Sequence, residues 1–276
     1  MSSFKIIAAA SVAASLTVAA AHAADLGVPP PCGPGSYGVG GPCGPAADFS
    51  GWYLRGYVGM TNQSVKSAGY SPNPFPADVI TTPFMNFDSS PLFGGGIGYQ
   101  FNNWLRVDAT GELRGSAHFH GQQGDQSAFN PDDYNASKSE ALFLANAFVD
   151  LGTWWHVTPF VGAGIGASYN TISGFTDVGP AVGADYVGAT ASKWNLAWAA
   201  YAGLSYEVTR AVSVEFMYRY VSLGSAQTGP VTSVIPFVAP SYPFVFNNLT
   251  SNDFMLGLRL KLGEPQAPLP PLVTKG

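Results

Sequence analysis

The sequence is short of charge. Only 11% of its 276 residues are Asp, Glu, Lys or Arg, against about 25% in a typical soluble protein. That is too little to cover a soluble surface of this size. Nor is it a disordered composition, because hydrophobic residues reach 46% and aromatics 13%, and disordered chains are poor in both. Bases are scarcer than acids: 12 Lys+Arg against 17 Asp+Glu give a net charge of −5. This argues against nucleic acid, whose partners carry a basic patch. Cysteine is confined to Cys32 and Cys43, too few for a metal site without two further ligands. Histidine occurs at 22, 118, 120 and 156 only, with no Ser/His signature of the kind a nucleophilic hydrolase needs. No catalytic residue is therefore assigned.

Long apolar runs are missing as well, with one exception at the start. Lys5 precedes an uncharged apolar run from Ile6 to Ala21, and Ala21-His22-Ala23 fits a small-x-small cleavage site. Residues 1–23 read as a signal peptide cut between Ala23 and Ala24, since the run is short for a spanning helix. Cys32 follows Val28-Pro29-Pro30-Pro31, well past the run, so no lipobox is present. Later uncharged stretches, such as 157–176, are broken by glycine, proline and polar residues. An exported chain with membrane-like composition and no spanning helix leaves a closed β-barrel.

Residues 24–49 form a Pro/Gly-rich leader without periodicity. Cys32 and Cys43 within it could close a small loop in an oxidising compartment, with free thiols or intermolecular pairing as alternatives. From Ser50 onward, alternation predicts eight strands, at 51–63, 91–101, 104–117, 140–151, 157–170, 193–207, 212–222 and 252–262. The connections near 102–103, 152–156 and 208–211 are short, whereas those covering 64–90, 118–139, 171–192 and 223–251 are long. An even strand count with alternating short and long connections predicts an all-β, eight-stranded antiparallel up-and-down transmembrane barrel over residues 50–262, with both ends periplasmic. Residues 263–276 are a Pro-rich tail. Trp52, Trp104, Trp154, Trp155, Trp194, Tyr206 and Tyr220 fall near strand ends, where interfacial aromatic girdles belong.

The few charges are arranged by parity. In "NNWLRVDATGELRG", residues 102–115, Arg106, Asp108, Glu112 and Arg114 occupy even positions, while Leu105, Val107, Ala109, Gly111 and Leu113 occupy odd ones. A strand points alternate side chains to opposite faces. Arg55, Asp150, Glu207, Glu215, Arg219, Arg259 and Lys261 likewise oppose the apolar row of their own strands. Arg or Lys facing lipid at the midplane costs roughly 2–4 kcal/mol, so the charged rows are expected to point inward as an internal ion-pair network. They would also fix the pairing register, because a one-residue slip turns them to lipid. Gly94, Gly96, Gly98, Gly162, Gly164 and Gly166 share the inward parity; they either leave space for arginines from another wall or merely permit curvature.

Three further motifs carry less. "GAGIGA" at 162–167 fits a dinucleotide fingerprint in form, but that fingerprint opens a helix and here alternation continues, so no cofactor is expected. His118 and His120 share one face, and a metal would need a carboxylate such as Asp125. The stretch 223–251 has no charge, and its "VIPFVAPSYPFVF" either folds over the barrel mouth or offers a surface contact patch.

The segments "FSGWYLRGYVGM", "NAFVDLG", "VTPFVGAGIGASYN" and "VEFMYRYVSLG" resemble the small outer-membrane barrels of the opacity-type, OmpA-like porin family. The mature start "ADL" is similar to that of alphaproteobacterial members known as surface antigens. The resemblance spans roughly residues 50–262 and implies an outer-membrane barrel with long surface loops and a structural, adhesive or weak pore role. It also implies outer-membrane lipid and the barrel-assembly machinery as partners, with host or cell-surface contacts through the loops. Such barrels commonly stop at a terminal aromatic; here "MLGLRLKLG" is followed by "EPQAPLPPLVTKG", a periplasmic extension. Three functions follow as expectations: a surface barrel plugged by its own charges, a narrow porin, or a soluble lipocalin-like binder, which would need an apolar lumen and a charged exterior.

Overall fold

The computed structural model describes residues 50–72, 80–125, 132–179, 184–234 and 242–263. The chain divides into Met1–Ala46 and Ala47–Gly276, and every described residue belongs to the second unit. The signal peptide with Ala23 and Ala24, the leader with Cys32 and Cys43, and the tail from 264 onward lie outside the described residues.

The strands are β1 (Gly51–Tyr70), β2 (Ile80–Phe87), β3 (Ser90–Gln100), β4 (Leu105–Asp125), β5 (Asp132–Asp150), β6 (Val157–Gly179), β7 (Ala184–Gly188), β8 (Ala191–Glu207), β9 (Val212–Gln227), β10 (Val231–Ser233) and β11 (Phe244–Leu262). Going round the ring, β1, β3, β4, β5, β6, β8, β9 and β11 each pair antiparallel with the next. The ring closes where β11 returns to β1, from Trp52↔Leu262 to Tyr70↔Phe244. This is the expected eight-stranded up-and-down barrel. The remaining three strands sit on the long connections: β2 pairs with β4, β7 with β6, and β10 with β7.

Short turns close one end. Asn102 Oδ1 accepts from the amides of Trp104 (3.0 Å) and Leu105 (2.8 Å), an Asx turn that reverses the chain between β3 and β4. Thr209 Oγ1 does the same for Val212 at 3.0 Å. Between β5 and β6, Trp154 and Val157 exchange both backbone hydrogen bonds at 2.9 Å, leaving Trp155 and His156 as a two-residue turn with φ of 49° and 66°.

The ring strands run well beyond their alternating segments. β1 ends at Tyr70 rather than 63, β4 reaches Asp125 rather than 117, and β6 continues to Gly179 rather than 170. Much of what was expected as loop is therefore strand. The reason is environmental: in lipid the outward row must be apolar, and alternation is strong. Beyond the bilayer Ser64, His118, His120 and Gln122 face outward, and the apolar/polar contrast fades although pairing continues.

Outward-facing apolar residues form a continuous belt. On β1 it runs through Trp52, Leu54, Val58 and Met60, and on β11 from Leu262 to Phe254. The nine residues from 52 to 60 match the 9–11 a tilted strand needs to cross a bilayer. Trp52, Tyr99 and Phe101 make edge contacts at the short-turn end, and Trp194 meets Tyr169 and Phe143 toward the other. The residues named from the sequence as girdle positions are exposed, apart from half-buried Tyr220.

Above the belt a set of bulges reverses the inward parity. On β4 even residues face inward up to Arg114 and odd ones from Ala117, across a register shift. A similar shift separates Phe246 from Leu249 on β11, with Asn248 at φ 52°. Gly174 (φ 60°) and Gly224 (φ 76°) supply left-handed residues on β6 and β9, where a side chain with a Cβ is disfavoured. Beyond these bulges the interior is aromatic: Phe87, Phe119, Tyr134, Phe175, Phe244 and Phe246 pack together. The end of the uncharged apolar stretch is thus the start of β11 and contributes Phe244 and Phe246 to the inside of the barrel; residues 235–241 lie outside the described residues.

Candidate functional site in the barrel lumen

The charged rows meet inside the membrane-spanning half. Nearer the short turns, Arg55 Nη1 lies 2.8 Å from Asp108 Oδ2 and Nη2 lies 3.3 Å from Glu215 Oε2. Arg106 joins Asp150 at 3.1 Å and Glu215 at 2.9 Å. Arg259 Nε reaches Glu215 Oε1 at 3.1 Å. Three arginines and three carboxylates thus balance, with Glu215 at the hub.

A second group lies further out. Arg219 holds Glu112 through both carboxylate oxygens, at 2.7 and 2.9 Å, and Asp253 at 2.7 Å. Arg114 contacts Glu112 at 2.7 Å, Glu140 at 3.0 Å and also Asp253. Lys138 pairs with Glu140 and donates to Gln63 Oε1 at 2.8 Å. Here Arg114, Lys138 and Arg219 balance Glu112, Glu140 and Asp253. Asn146 lies at the level between the groups, donating to Asp108 at 2.7 Å and accepting from Tyr201 at 2.9 Å.

All of these charged side chains are buried. Burying an ion is costly unless it is paired and hydrogen-bonded, and an interior of eight strands is just wide enough for side chains to fill. Arginine suits such a site because its planar fork serves several carboxylates at once. Of the residues named from parity, Arg55, Arg106, Asp108, Glu112, Arg114, Asp150, Glu215, Arg219 and Arg259 are brought together in the lumen. Glu207 and Lys261 are not: they face each other at 3.9 Å on the rim at the short-turn end, partly exposed. Lys138, Glu140 and Asp253 complete the outer group; of these, the sequence sets Asp253 on the charged row of its strand without placing it in the network, and Lys138 and Glu140 follow the inward parity of theirs.

The inward glycines make room for rings rather than arginines. A Cβ at Gly94 would collide with the Tyr57 ring, at Gly98 with Tyr53, at Gly162 with Phe148, and at Gly203 with Phe160. Those rings in turn carry the guanidinium groups. Arg106 lies 4.7 Å from the Phe148 centroid and 4.5 Å from that of Phe160, and Arg55 lies 5.1 Å from Phe148. Such cation–π contacts contribute about 0.5–2 kcal/mol each. Gly96 and Gly166 additionally sit against neighbouring carbonyls, so tight coiling of the sheet also demands them.

Other sequence features fall elsewhere. His118 and His120 face outward, with Nδ1 3.1 Å from Ser137 Oγ and 2.7 Å from Asn135 Oδ1 respectively. No group of three or more metal-ligating side chains occurs among the described residues. "GAGIGA" lies within β6 and is followed by more strand. In the aromatic layer beyond the membrane, Tyr70 donates to Asp177. Burial, and then the charge of Asp132, push the Asp177 carboxyl up to about 6, against the opposing effect of the Tyr70 hydrogen bond.

An apolar belt outside and balanced charges inside define an integral outer-membrane β-barrel. The soluble lipocalin-like alternative needs the opposite orientation and is overturned by the belt. Residues 10–261 match the family described as outer membrane protein beta-barrel domain, and the chain belongs to that family. It is 31% identical over 194 residues to an uncharacterized protein of Brucella abortus (strain 2308), spanning 62% of this chain and 68% of that protein. It is 28% identical over 178 residues to outer membrane protein PagN of Salmonella typhimurium, spanning 60% and 72% respectively. Among solved structures, OprG from Pseudomonas aeruginosa aligns over 80% of this chain and 100% of its own, at 12% identity and a TM-score of 0.47. Neisserial surface protein A aligns over 77% and 98%, at 16% identity and a TM-score of 0.42. The protein is an outer-membrane surface protein with a charge-filled lumen.

Proposed function

We propose that the barrel is a closed, non-catalytic surface protein of the opacity-type branch, which contributes to envelope integrity and surface contacts and passes no solute. One observation carries this reading: Arg55, Arg106 and Arg259 neutralise Asp108, Asp150 and Glu215, and Arg114, Lys138 and Arg219 neutralise Glu112, Glu140 and Asp253, across the lumen. The Phe and Tyr layer above supplies a second obstruction. The strand extensions beyond the membrane provide the contact surface for host or neighbouring cells. Residues 1–23 direct export, and the barrel-assembly machinery inserts the mature chain.

Single-channel recording in planar bilayers tests the plug. The expected result is no stable conductance from the native barrel. A stable open conductance would favour the narrow-porin reading instead.

A further inference from the structure

We propose that the outward face of the β2–β4–β5 extension is a binding site for neutral carbohydrate. It goes beyond the plugged-barrel reading and rests only on that reading's placement of the extensions outside the membrane. A concavity of about 490 Å³ lies there, walled by Phe84, His120, Gln122, Asp133 and Asn135. That volume falls in the range of small-ligand sites, which combine apolar walls with a few placed polar groups.

The polar groups are pre-arranged. His120 and Asn135 are register partners across β4 and β5, as are Gln122 and Asp133. His120 Nδ1 lies 2.7 Å from Asn135 Oδ1, and Gln122 Nε2 donates to Asp133 Oδ1 at 2.9 Å. With Nδ1–H donating, four groups remain for a ligand: the His120 Nε2 acceptor, the Asn135 amide donors, the Gln122 carbonyl and the second Asp133 oxygen. The concavity thus offers three acceptors and one donor group, a set to which neighbouring sugar hydroxyls can donate and from which one can accept. Phe84, the register partner of Gln122 on β2 and 52% exposed, offers a flat apolar wall against which the C–H face of a pyranose can stack.

The charge selects the ligand. The lining has one carboxylate and neither Lys nor Arg, so it disfavours phosphate and sulfate and admits an uncharged sugar. Position narrows it further. The last outward apolar residue of β4 is Leu113. His120 lies seven residues beyond it, so a rise of 3.3 Å per residue and a tilt near 40° place the site roughly 18 Å above the belt. It faces sideways, into the layer where outer-leaflet glycolipid sugars stand; an exogenous glycan would present the same chemistry.

The test uses the full mature barrel in detergent. The probes are core oligosaccharide from lipopolysaccharide freed of phosphate and of its acidic reducing-end sugar, its phosphorylated counterpart, lactose and maltotriose. Saturation-transfer NMR on each sugar and the His120 ring resonance report binding. We expect saturable binding of at least one neutral probe, weakened about tenfold by the Gln122→Ala/Asp133→Ala double substitution and weakened by Phe84→Leu, which keeps an apolar side chain but removes the ring. His118→Ala, on the next pair of the same ladder and outside the concavity, leaves binding intact. Core oligosaccharide alone would assign the envelope's own glycolipid, and lactose or maltotriose alone an exogenous glycan. Binding of no neutral probe, binding of the phosphorylated core only, or undiminished binding by the folded double variant would each overturn the proposal. Conductance plays no part in these outcomes, so a leaky barrel would not affect them.

Discussion

Glu215 offers a direct measure of what the inner charges contribute. Its carboxylate contacts Arg106 at 2.9 Å, Arg259 at 3.1 Å and Arg55 at 3.3 Å. Glu215→Gln keeps the shape and leaves three arginines facing two carboxylates, one uncompensated positive charge. At an effective dielectric of 20 and about 4 Å between charge centres, one ion pair is worth about 4 kcal/mol before desolvation. Loss of one partner of a buried pair costs about 3–5 kcal/mol in practice. Reversible urea unfolding in phospholipid vesicles, followed by tryptophan fluorescence, should show a loss of that size, or a midpoint lower by about 2 M for an m-value near 2 kcal/mol/M. Adding Arg259→Gln restores a 2:2 balance and should recover at least about 1 kcal/mol. A single-variant loss below about 1 kcal/mol, the scale of an exposed pair, would refute the treatment of the lumen as a dry, paired interior.

Three other perturbations read different parts of the barrel. Replacing Trp155-His156 by Asn-Gly relieves two left-handed residues, and at roughly 1 kcal/mol or more each should raise the same unfolding midpoint. Gly94→Ala drives a methyl into the Tyr57 ring and should cost about 1–3 kcal/mol in vesicle unfolding, whereas Gly69→Ala, with nothing within 4 Å, should not. Asp177 has a folded carboxyl raised to about 6, above its unfolded value near 3.9. The folded state therefore takes up the proton first, and stability contributed there increases as pH falls from about 6 toward 4. Amide exchange in β6 and β7, corrected for intrinsic rate, should slow over that window, and Asp177→Asn should abolish the dependence.

The transmembrane half was legible because two demands coincide there. Lipid requires an apolar outward row, and the packed lumen requires every charge to turn inward, so parity alone exposes strands and network together. Lys138 and Glu140 escaped this reading because the outward neighbours Ser137 and Ser139 no longer contrast with an inward row, although even parity on β5 runs unbroken to Tyr134. Asp253 was visible by parity beside Arg259 yet was not placed in the network, since its partners Arg114 and Arg219 lie on strands remote in sequence. The bulges left only Gly174, Gly224 and Asn248 as traces, residues that occur in many other settings. The glycine rows were visible but their occupants were not, because Tyr53, Tyr57 and Phe148 reach them from neighbouring strands.

The seam between β1 and β11 has a consequence for assembly. β11 pairs with β9 in a hairpin that already joins Asp253 to Arg219 and Arg259 to Glu215. But Asp253 meets Arg114, Glu215 meets Arg106 and Arg219 meets Glu112 across the lumen, contacts that need the closed ring. Until β11 docks on β1, both inner groups are incomplete, and an open sheet would hold unmatched charge at the bilayer. Docking supplies the final backbone pairing and the missing counter-charges in one event. Closure and neutralisation are thereby coupled, so reopening the seam would separate opposite charges as well as backbone pairs.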